Sequence, residues 1–222
     1  MSEQNKTINS EIIEYWNDYY SSERRHLPQS LFAESVLQKE FLKPAYKLID
    51  FGCGDGRDAT FLAKKFKVIG LDISKKVIDI NKKIFSNSKD VTFEVCSTEL
   101  DLIQAIEFHK PEVFYARFLM HAITKDQEIN LLKILQSYLP SQSYLVTEFR
   151  TIRDPLSAKG VKLSANERIH GHYRRFIDPN EFVADLSRAN FEILDQSESD
   201  MYSPSKDDKP SLARIYAKKI NP

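Results

Sequence analysis

Glycine is scarce in this chain, with six residues in 222. Three of them, Gly52, Gly54 and Gly56, crowd into one short stretch, which asks for a local reason. Cysteine is scarcer still. Cys53 and Cys96 stand apart, neither in a CxxC pair, and no Cys/His grouping has zinc-ligand spacing. Neither a disulfide scaffold nor a metal site is therefore expected, and a reducing, cytoplasmic compartment suits the usage. Net charge is absent, with 32 Lys and Arg balancing 32 Asp and Glu. That argues against nucleic acid or a membrane surface as a partner of the whole chain, and leaves a local patch open. No apolar run approaches the roughly 18 residues of a membrane span. The polar residues 1–10 lack the apolar core of a signal peptide. Internal repeats and low-complexity blocks are also missing.

What is present reads as one α/β domain, long enough to bury a core without staples. Residues 8–20 carry Ile12, Ile13, Trp16 and Tyr19 at helical spacing. After Pro28, residues 31–42 do the same with Leu31, Ala33, Val36, Leu37, Phe41 and Leu42. The polar segment between them holds Arg24, Arg25 and His26. Strands are then predicted at 46–51, 67–71, 91–96, 112–116 and 143–149. Helices alternate with them at 58–66, 74–85 and 99–109, and from a Thr124/Gln127 capping box to Leu139. Residues 150–176 show neither period. Asp178, Pro179 and Glu181 start a helix as N-cap, N1 and N3, and strands at 191–198 and 212–219 follow without a helix between them. The pattern predicts a Rossmann-like, doubly wound sheet of about seven strands, the last antiparallel, with N-terminal helices and one irregular insertion.

The glycines sit in Leu48-Ile49-Asp50-Phe51-Gly52-Cys53-Gly54-Asp55-Gly56-Arg57-Asp58, where a strand feeds a turn and the turn feeds a helix. Glycine lets backbone approach a ligand closely and adopt positive φ, and ligands of such sheets sit beyond the carboxyl ends of the strands. A second acid, Asp72, ends the next strand about twenty residues on, where it can grip a ribose diol. A dinucleotide loop reads GxGxxG and places a pyrophosphate on the helix N-terminus. This loop reads GxGxG, with Asp50, Asp55 and Asp58 around it. Three carboxylates would repel a pyrophosphate but suit a sulfonium and an amino group. The charge pattern favours S-adenosylmethionine over NAD.

The stretch 48–74 resembles the first two motifs of class I S-adenosylmethionine-dependent methyltransferases, and the layout resembles that family over roughly residues 46–219. The resemblance implies that Gly52 and Gly54 contact the methionine part, that Asp50 supports the loop and the amino group, and that Asp72 takes the ribose hydroxyls. It places Ser97, Thr98 and Glu99 at the adenine, with Cys53, Arg57, Ile73, Ala116 and Arg117 completing the cofactor set. It divides the chain into an N-terminal helical lid (1–44), a cofactor-binding core (45–150), a basic insertion (151–177) and a C-terminal helix with strands (178–222). A nicotinamide oxidoreductase and a binding scaffold without activity are the alternatives.

Arginine and histidine gather where an acceptor would enter. Tyr115-Ala116-Arg117-Phe118-Leu119-Met120-His121 follows the fourth strand, Thr147-Glu148-Phe149-Arg150 the fifth, and His170-Gly171-His172-Tyr173-Arg174-Arg175-Phe176 lies in the insertion. Residues 150–176 hold seven Lys and Arg but only Asp154 and Glu167. Arginine suits bidentate recognition of phosphate or carboxylate, so the expected acceptor is a small anionic molecule or glycan. The competing reading is a solvated basic loop paired with acids elsewhere, such as Asp207 and Asp208. His121, Arg117 and Arg150 are the candidate catalytic residues. Glu148, His170, His172, Tyr173, Arg174 and Arg175 join His121 and Arg150 as candidate acceptor contacts. His121 is either a general base for a hydroxyl, the case favoured by its place on the edge where the methyl would point, or a packing residue.

These short motifs, with Trp16-Asn17-Asp18-Tyr19-Tyr20 and Pro28-Gln29-Ser30-Leu31-Phe32-Ala33, also resemble methyltransferases encoded in bacterial capsule and O-antigen loci. That narrower resemblance implies methylation of a sugar hydroxyl, or of a phosphate or phosphoramidate on a surface-polysaccharide precursor. It places Tyr15, Trp16, Tyr20 and Phe32 near the cofactor. A small anionic metabolite is the other acceptor class. The Pro-Pro-aromatic motif of nucleic-acid amino-methyltransferases is absent after the fourth strand.

Overall fold

The computed structural model describes residues 15, 16, 18, 27–203 and 209–221. Most of the expected helix at 8–20, Tyr20, the Arg24-Arg25-His26 segment and the Asp207-Asp208 region lie outside the described residues. Among the described residues no helix is long and apolar enough to cross a membrane.

Helix α1 (Leu31–Leu37) precedes an alternation of β1 (Lys47–Phe51), α2 (Arg57–Leu62), β2 (Lys67–Asp72), α3 (Lys75–Ile84) and β3 (Val91–Val95). It continues through α4 (Glu99–His109), β4 (Val113–Arg117), α5 (Lys125–Tyr138) and β5 (Tyr144–Arg150). The sheet order is β3-β2-β1-β4-β5-β10-β9, where β9 is Phe191–Ser199 and β10 is Leu212–Lys219. The first five strands are parallel, and β10 runs antiparallel to both β5 and β9. This is the predicted Rossmann-like sheet with its antiparallel last strand.

Strand alternation builds a core on each face. Leu48, Val68, Val113, Tyr115, Val146 and Tyr216 point to one side, with Phe32 and Val36 of α1, Leu62 of α2 and Val77 of α3. Ile49, Ile69, Phe114, Leu145 and Ile215 point to the other, with Ile106 of α4, Leu135 of α5 and Phe182 of α6 (Pro179–Arg188). Helix α1 is shorter than its apolar pattern predicts. Lys65 Nζ donates to the carbonyls of Leu37 and Lys39 at 2.8 and 3.1 Å, which ends the helix, while Leu42 stays buried beyond it.

Residues 151–177, expected to be irregular, contain a 3-10 turn at Pro155–Ala158 and a second antiparallel sheet. Its strands are β6 (Val161–Lys162), β7 (Glu167–His170) and β8 (His172–Arg175). They carry charged residues on both faces, so no period-two apolar signal marks them.

Gly70 on β2 shows what close packing demands. A Cβ there would stand 2.6 Å from the ring of Phe93 and 3.1 Å from Cys53 Sγ. Gly70→Ala is expected to lower stability by about 1–3 kcal/mol, the usual cost of overpacking. A denaturant midpoint indistinguishable from the parent would refute the steric argument.

Candidate active site

The sheet order reverses between β1 and β4, and such a switch point opens a crevice above the strand ends. The glycine loop runs into it. Gly52, Gly54 and Gly56 have φ of 80°, 51° and 75°, values that side chains rarely adopt. Gly56 is the left-handed N-cap of α2. The loop is tied to its neighbours. Gly52 and Cys53 N–H both donate to the Leu71 carbonyl, at 2.8 and 3.0 Å. Gly54 N–H donates to Asp72 Oδ2 at 2.9 Å, and buried Asn81 donates to the Gly54 carbonyl at 2.7 Å. Asp72 Oδ1 takes the Ser74 N–H at 2.9 Å. Three backbone N–H groups, of Gly54, Ser74 and Ile73, thus hold the Asp72 carboxylate at the cavity wall.

Asp50 is buried, and its Oδ2 has no hydrogen-bond partner. Burial pushes its carboxyl well above the ordinary range, and the charges of Asp58 and Asp72 add to the rise. Asp72 is raised as well, by burial against the pull of N–H groups from Ser74, Gly54 and Ile73. Asp58 is committed to structure. It accepts the Ser30 N–H and Oγ–H and the Tyr115 hydroxyl, each at 2.7 Å, and so docks α1 onto the loop.

The crevice is a cavity of about 470 Å³. The loop, Asp72 and Ile73 form one wall, and Ser97, Thr98 and Glu99 another. Leu102, Leu119, Ala122, Ile123, Leu131 and Ile134 supply apolar surface. An orphaned carboxyl oxygen among acids fits a cationic group, and the apolar wall fits a flat base.

Beyond β4 the character changes. Arg117 Nε donates to Glu148 Oε1 at 2.9 Å, and Glu148 Oε2 takes Arg214 Nε at 2.7 Å. Glu148 is fully buried. The Phe118 ring carries the Arg117 guanidinium at 4.0 Å and that of Arg150 at 5.9 Å, with the His121 ring edge-on at 5.1 Å. Phe118 has φ of 57°, which costs a bulky residue on the order of 1 kcal/mol. Residues 20–196 match the model of a family described as a methyltransferase domain. The chain belongs to this methyltransferase family.

No curated protein matches the methyltransferase in a sequence comparison. Solved structures match its fold. A S-adenosylmethionine-dependent methyltransferase from Anabaena variabilis is 20% identical, with a TM-score of 0.72 over 96% of this chain and 95% of that one. One from Methanosarcina mazei is 15% identical, with a TM-score of 0.70 over 84% and 98%. Phosphoethanolamine N-methyltransferase 1 of Haemonchus contortus, bound to phosphoethanolamine and S-adenosylhomocysteine, is 13% identical, with a TM-score of 0.72. It aligns with 100% of this chain, which spans 50% of the worm protein. The fold is thus that of the S-adenosylmethionine-dependent enzymes.

Of the cofactor residues expected from sequence, Asp50, Gly52, Cys53, Gly54, Arg57, Asp72, Ile73, Ser97, Thr98, Glu99 and Arg117 all line the methyltransferase cavity. Ala116 does not. Strand alternation sends its side chain into the core, and its carbonyl accepts the Thr147 hydroxyl at 2.8 Å. Thr98 also caps α4, in a reciprocal box with Asp101. Trp16 reaches the cavity, whereas Phe32 is buried in the core, stacked on Tyr115 at 5.1 Å. Sequence reasoning missed Phe118, Leu119, Ala122, Ile123, Leu131 and Ile134 as lining residues, since their apolar character reads as core.

The acceptor-side residues divide. His121, Glu148 and Arg150 do not line the cavity but surround Arg117 and Phe118. Arg150 is paired with Asp154 at 2.8 Å. His121 Nδ1 accepts the Arg150 backbone N–H at 3.2 Å. The ring proton then belongs on Nε2. Burial holds His121 neutral well below its usual range, assisted by Arg150, Arg174, His172 and Arg117. Burial and then Arg174 and Arg150 bring His172 down to about 3. The His172 ring also meets those of Tyr15 and Trp16 in tilted contacts, with centroids at 4.4 and 5.4 Å.

Three insertion residues expected at the acceptor are placed otherwise. Arg175 is buried, donating to the carbonyls of Met120 and Ile123 at 3.1 and 3.2 Å and to the Glu128 carboxylate. It fixes the loop after β4 and is spent there. The Tyr173 hydroxyl donates to Glu167 at 2.6 Å, and His170 is exposed at the hairpin turn, its carbonyl taking Arg174 Nη1 at 2.5 Å. Two of the window's basic residues pair with acids outside it, Arg153 with Glu198 and Arg175 with Glu128.

Proposed function

We propose that this methyltransferase methylates a charged oxygen of a small anionic acceptor, a phosphate, phosphoramidate or carboxylate. The observation that carries the reading is the His121 ring. Three arginines crowd a neutral imidazole whose Nδ1 is already used as an acceptor, so a negative charge is favoured there and a ready proton acceptor is lacking. A sugar hydroxyl needs a base, typically worth 10²–10⁴-fold. An anionic oxygen needs alignment and charge placement instead.

When bound, S-adenosylmethionine supplies an electrophilic methyl group. Asp50 would hold its cationic amino-acid end, with the Gly52–Gly54 backbone packed against the methionine part, Asp72 would hold the ribose, and the 97–99 turn with the apolar wall the base. Arg117, backed by Glu148, would face the acceptor, with Arg150 and Arg174 setting the field. The contact of Tyr15 and Trp16 with His172 supports the N-terminal segment as a lid meeting the insertion. A surface-polysaccharide precursor is one acceptor of this class, and its support is the motif resemblance alone.

The test is turnover of phosphomonoesters, phosphoramidates, carboxylates and neutral sugars, read by mass spectrometry as the gain of one methylene. Phosphoethanolamine, bound in the worm structure, belongs in the panel: a methyl on its phosphate oxygen supports the reading, and a methyl on its amine alone would overturn it. Turnover of neutral sugars alone would overturn the reading.

His121→Ala sharpens the choice. It is expected to cost less than about tenfold in kcat and to leave the acidic limb of the pH–rate profile unchanged, in contrast to the loss of a general base. Stability should fall by about 1–3 kcal/mol, because the Arg150 N–H loses its acceptor. A loss of two decades or more, together with that limb, would reinstate His121 as the base.

A further inference from the structure

We infer that Phe118 is a positioning residue whose ring serves as a common platform for the Arg117 and Arg150 guanidiniums, holding Arg117 toward the acceptor anion with the Arg150 charge behind it; the inference rests on the anionic-acceptor reading above.

The residue is odd for an aromatic. Its neighbours Leu119 and Met120 belong to or pack on the apolar core, whereas Phe118 belongs to neither core. It is half-buried and lines the cavity. Its backbone is left-handed, a conformation that bulky residues rarely keep without compensation and that gathers at functional sites. The compensation is visible. The Phe118 N–H donates to the Glu148 carbonyl at 2.8 Å, and the Glu148 carboxylate holds Arg117. This turn at the end of β4 carries the ring under Arg117 at 4.0 Å, with Arg150 at 5.9 Å and His121 on its edge. Packing demand does not explain an aromatic here, but the cations do. A guanidinium within about 6 Å of a ring centroid is attracted by the ring's quadrupole. Two that share one ring are held near each other despite like charge, a useful arrangement for one anionic group.

Phe118→Leu keeps an apolar side chain and the same backbone strain while removing the π face. Phe118→Tyr keeps the face. The measurement is binding of inorganic phosphate by calorimetry to the full chain saturated with S-adenosylhomocysteine. The parent is expected to bind phosphate saturably, Phe118→Leu roughly three- to tenfold more weakly, and Phe118→Tyr within about twofold of the parent. Because the ring also lines the cofactor cavity, the test is the difference between ligands: the phosphate loss in Phe118→Leu should exceed any loss of S-adenosylhomocysteine affinity, and Phe118→Tyr should restore both, which a purely structural role would not produce. A parent that binds phosphate with Phe118→Leu equal to it overturns the platform alone. A parent that binds no phosphate overturns the platform and the anionic-acceptor reading together. Parallel losses of S-adenosylhomocysteine affinity and stability in Phe118→Leu assign the ring to packing and also overturn the inference.

Discussion

Asp50→Asn is expected to make the ligand-free protein more stable and its cofactor affinity much weaker. The two effects have one origin. Asp50 is a buried carboxyl with an orphaned oxygen, raised by burial and by Asp58 and Asp72. A carboxyl whose folded-state pKa lies above its unfolded value favours the folded state only while protonated. That contribution fades as pH rises from the ordinary carboxylate range through the raised value, and above that range the ligand-free protein carries the cost of a buried carboxyl with an unpartnered oxygen. Asparagine keeps the shape and removes the charge. A gain on the order of 1 kcal/mol is expected, a few degrees in thermal midpoint. The gain should vanish at acid pH, where the parent is protonated. Affinity for S-adenosylhomocysteine should fall by about 2–5 kcal/mol, the cost of truncating a buried charge pair. That is roughly thirtyfold to a few thousandfold. In the parent, the same affinity should weaken as pH drops through the raised Asp50 value. Thermal melts and calorimetry across pH check all of this. Unchanged affinity in Asp50→Asn would remove Asp50 from the cofactor site.

The parts of the fold that local chemistry dictates were readable. The glycine run, the acid ending β2, the Thr124/Gln127 box and the Asp178-Pro179 start depend on residues within one turn of each other. Strands and helices of the sheet follow from period, and α4 and β10 occur at their predicted bounds. What escaped depends on distance in sequence. The Asp58 network joins Ser30, Asp58 and Tyr115. A window count over 150–176 finds an excess of basic residues, but pairing of Arg153 with Glu198 and Arg175 with Glu128 is invisible to it. His121 was legible as a residue near the reaction, but its role hangs on one backbone N–H of Arg150. Phe118 reads as an ordinary apolar residue, since nothing in its neighbours announces a left-handed backbone.

Glu148→Gln is expected to be the most damaging single substitution of the acceptor side. Glu148 is fully buried and lies between two guanidiniums, that of Arg117 at the cavity wall at 2.9 Å and that of buried Arg214 at 2.7 Å. Burial pushes its carboxyl up against the pull of both arginines, so the three residues stand or fall together. Removing one charge from a buried ionic group costs about 3–5 kcal/mol, chiefly because the partners are left uncompensated. At about 2–4 °C per kcal/mol for a chain of this size, the thermal midpoint should drop by roughly 6–20 °C. The origin can be separated from general damage. Arg214 also stacks on Tyr202 at 3.8 Å, so Arg214→Met alone carries its own packing cost. If uncompensated charge is the cause, adding Arg214→Met to Glu148→Gln removes one orphaned cation. The double variant should then be more stable than the two single losses summed, with a coupling on the order of 1–3 kcal/mol. Strict additivity would mean that the two arginines do not share Glu148 energetically. A Glu148→Gln midpoint within a degree or two of the parent would show that the carboxylate is not what holds Arg117 at the mouth of the site.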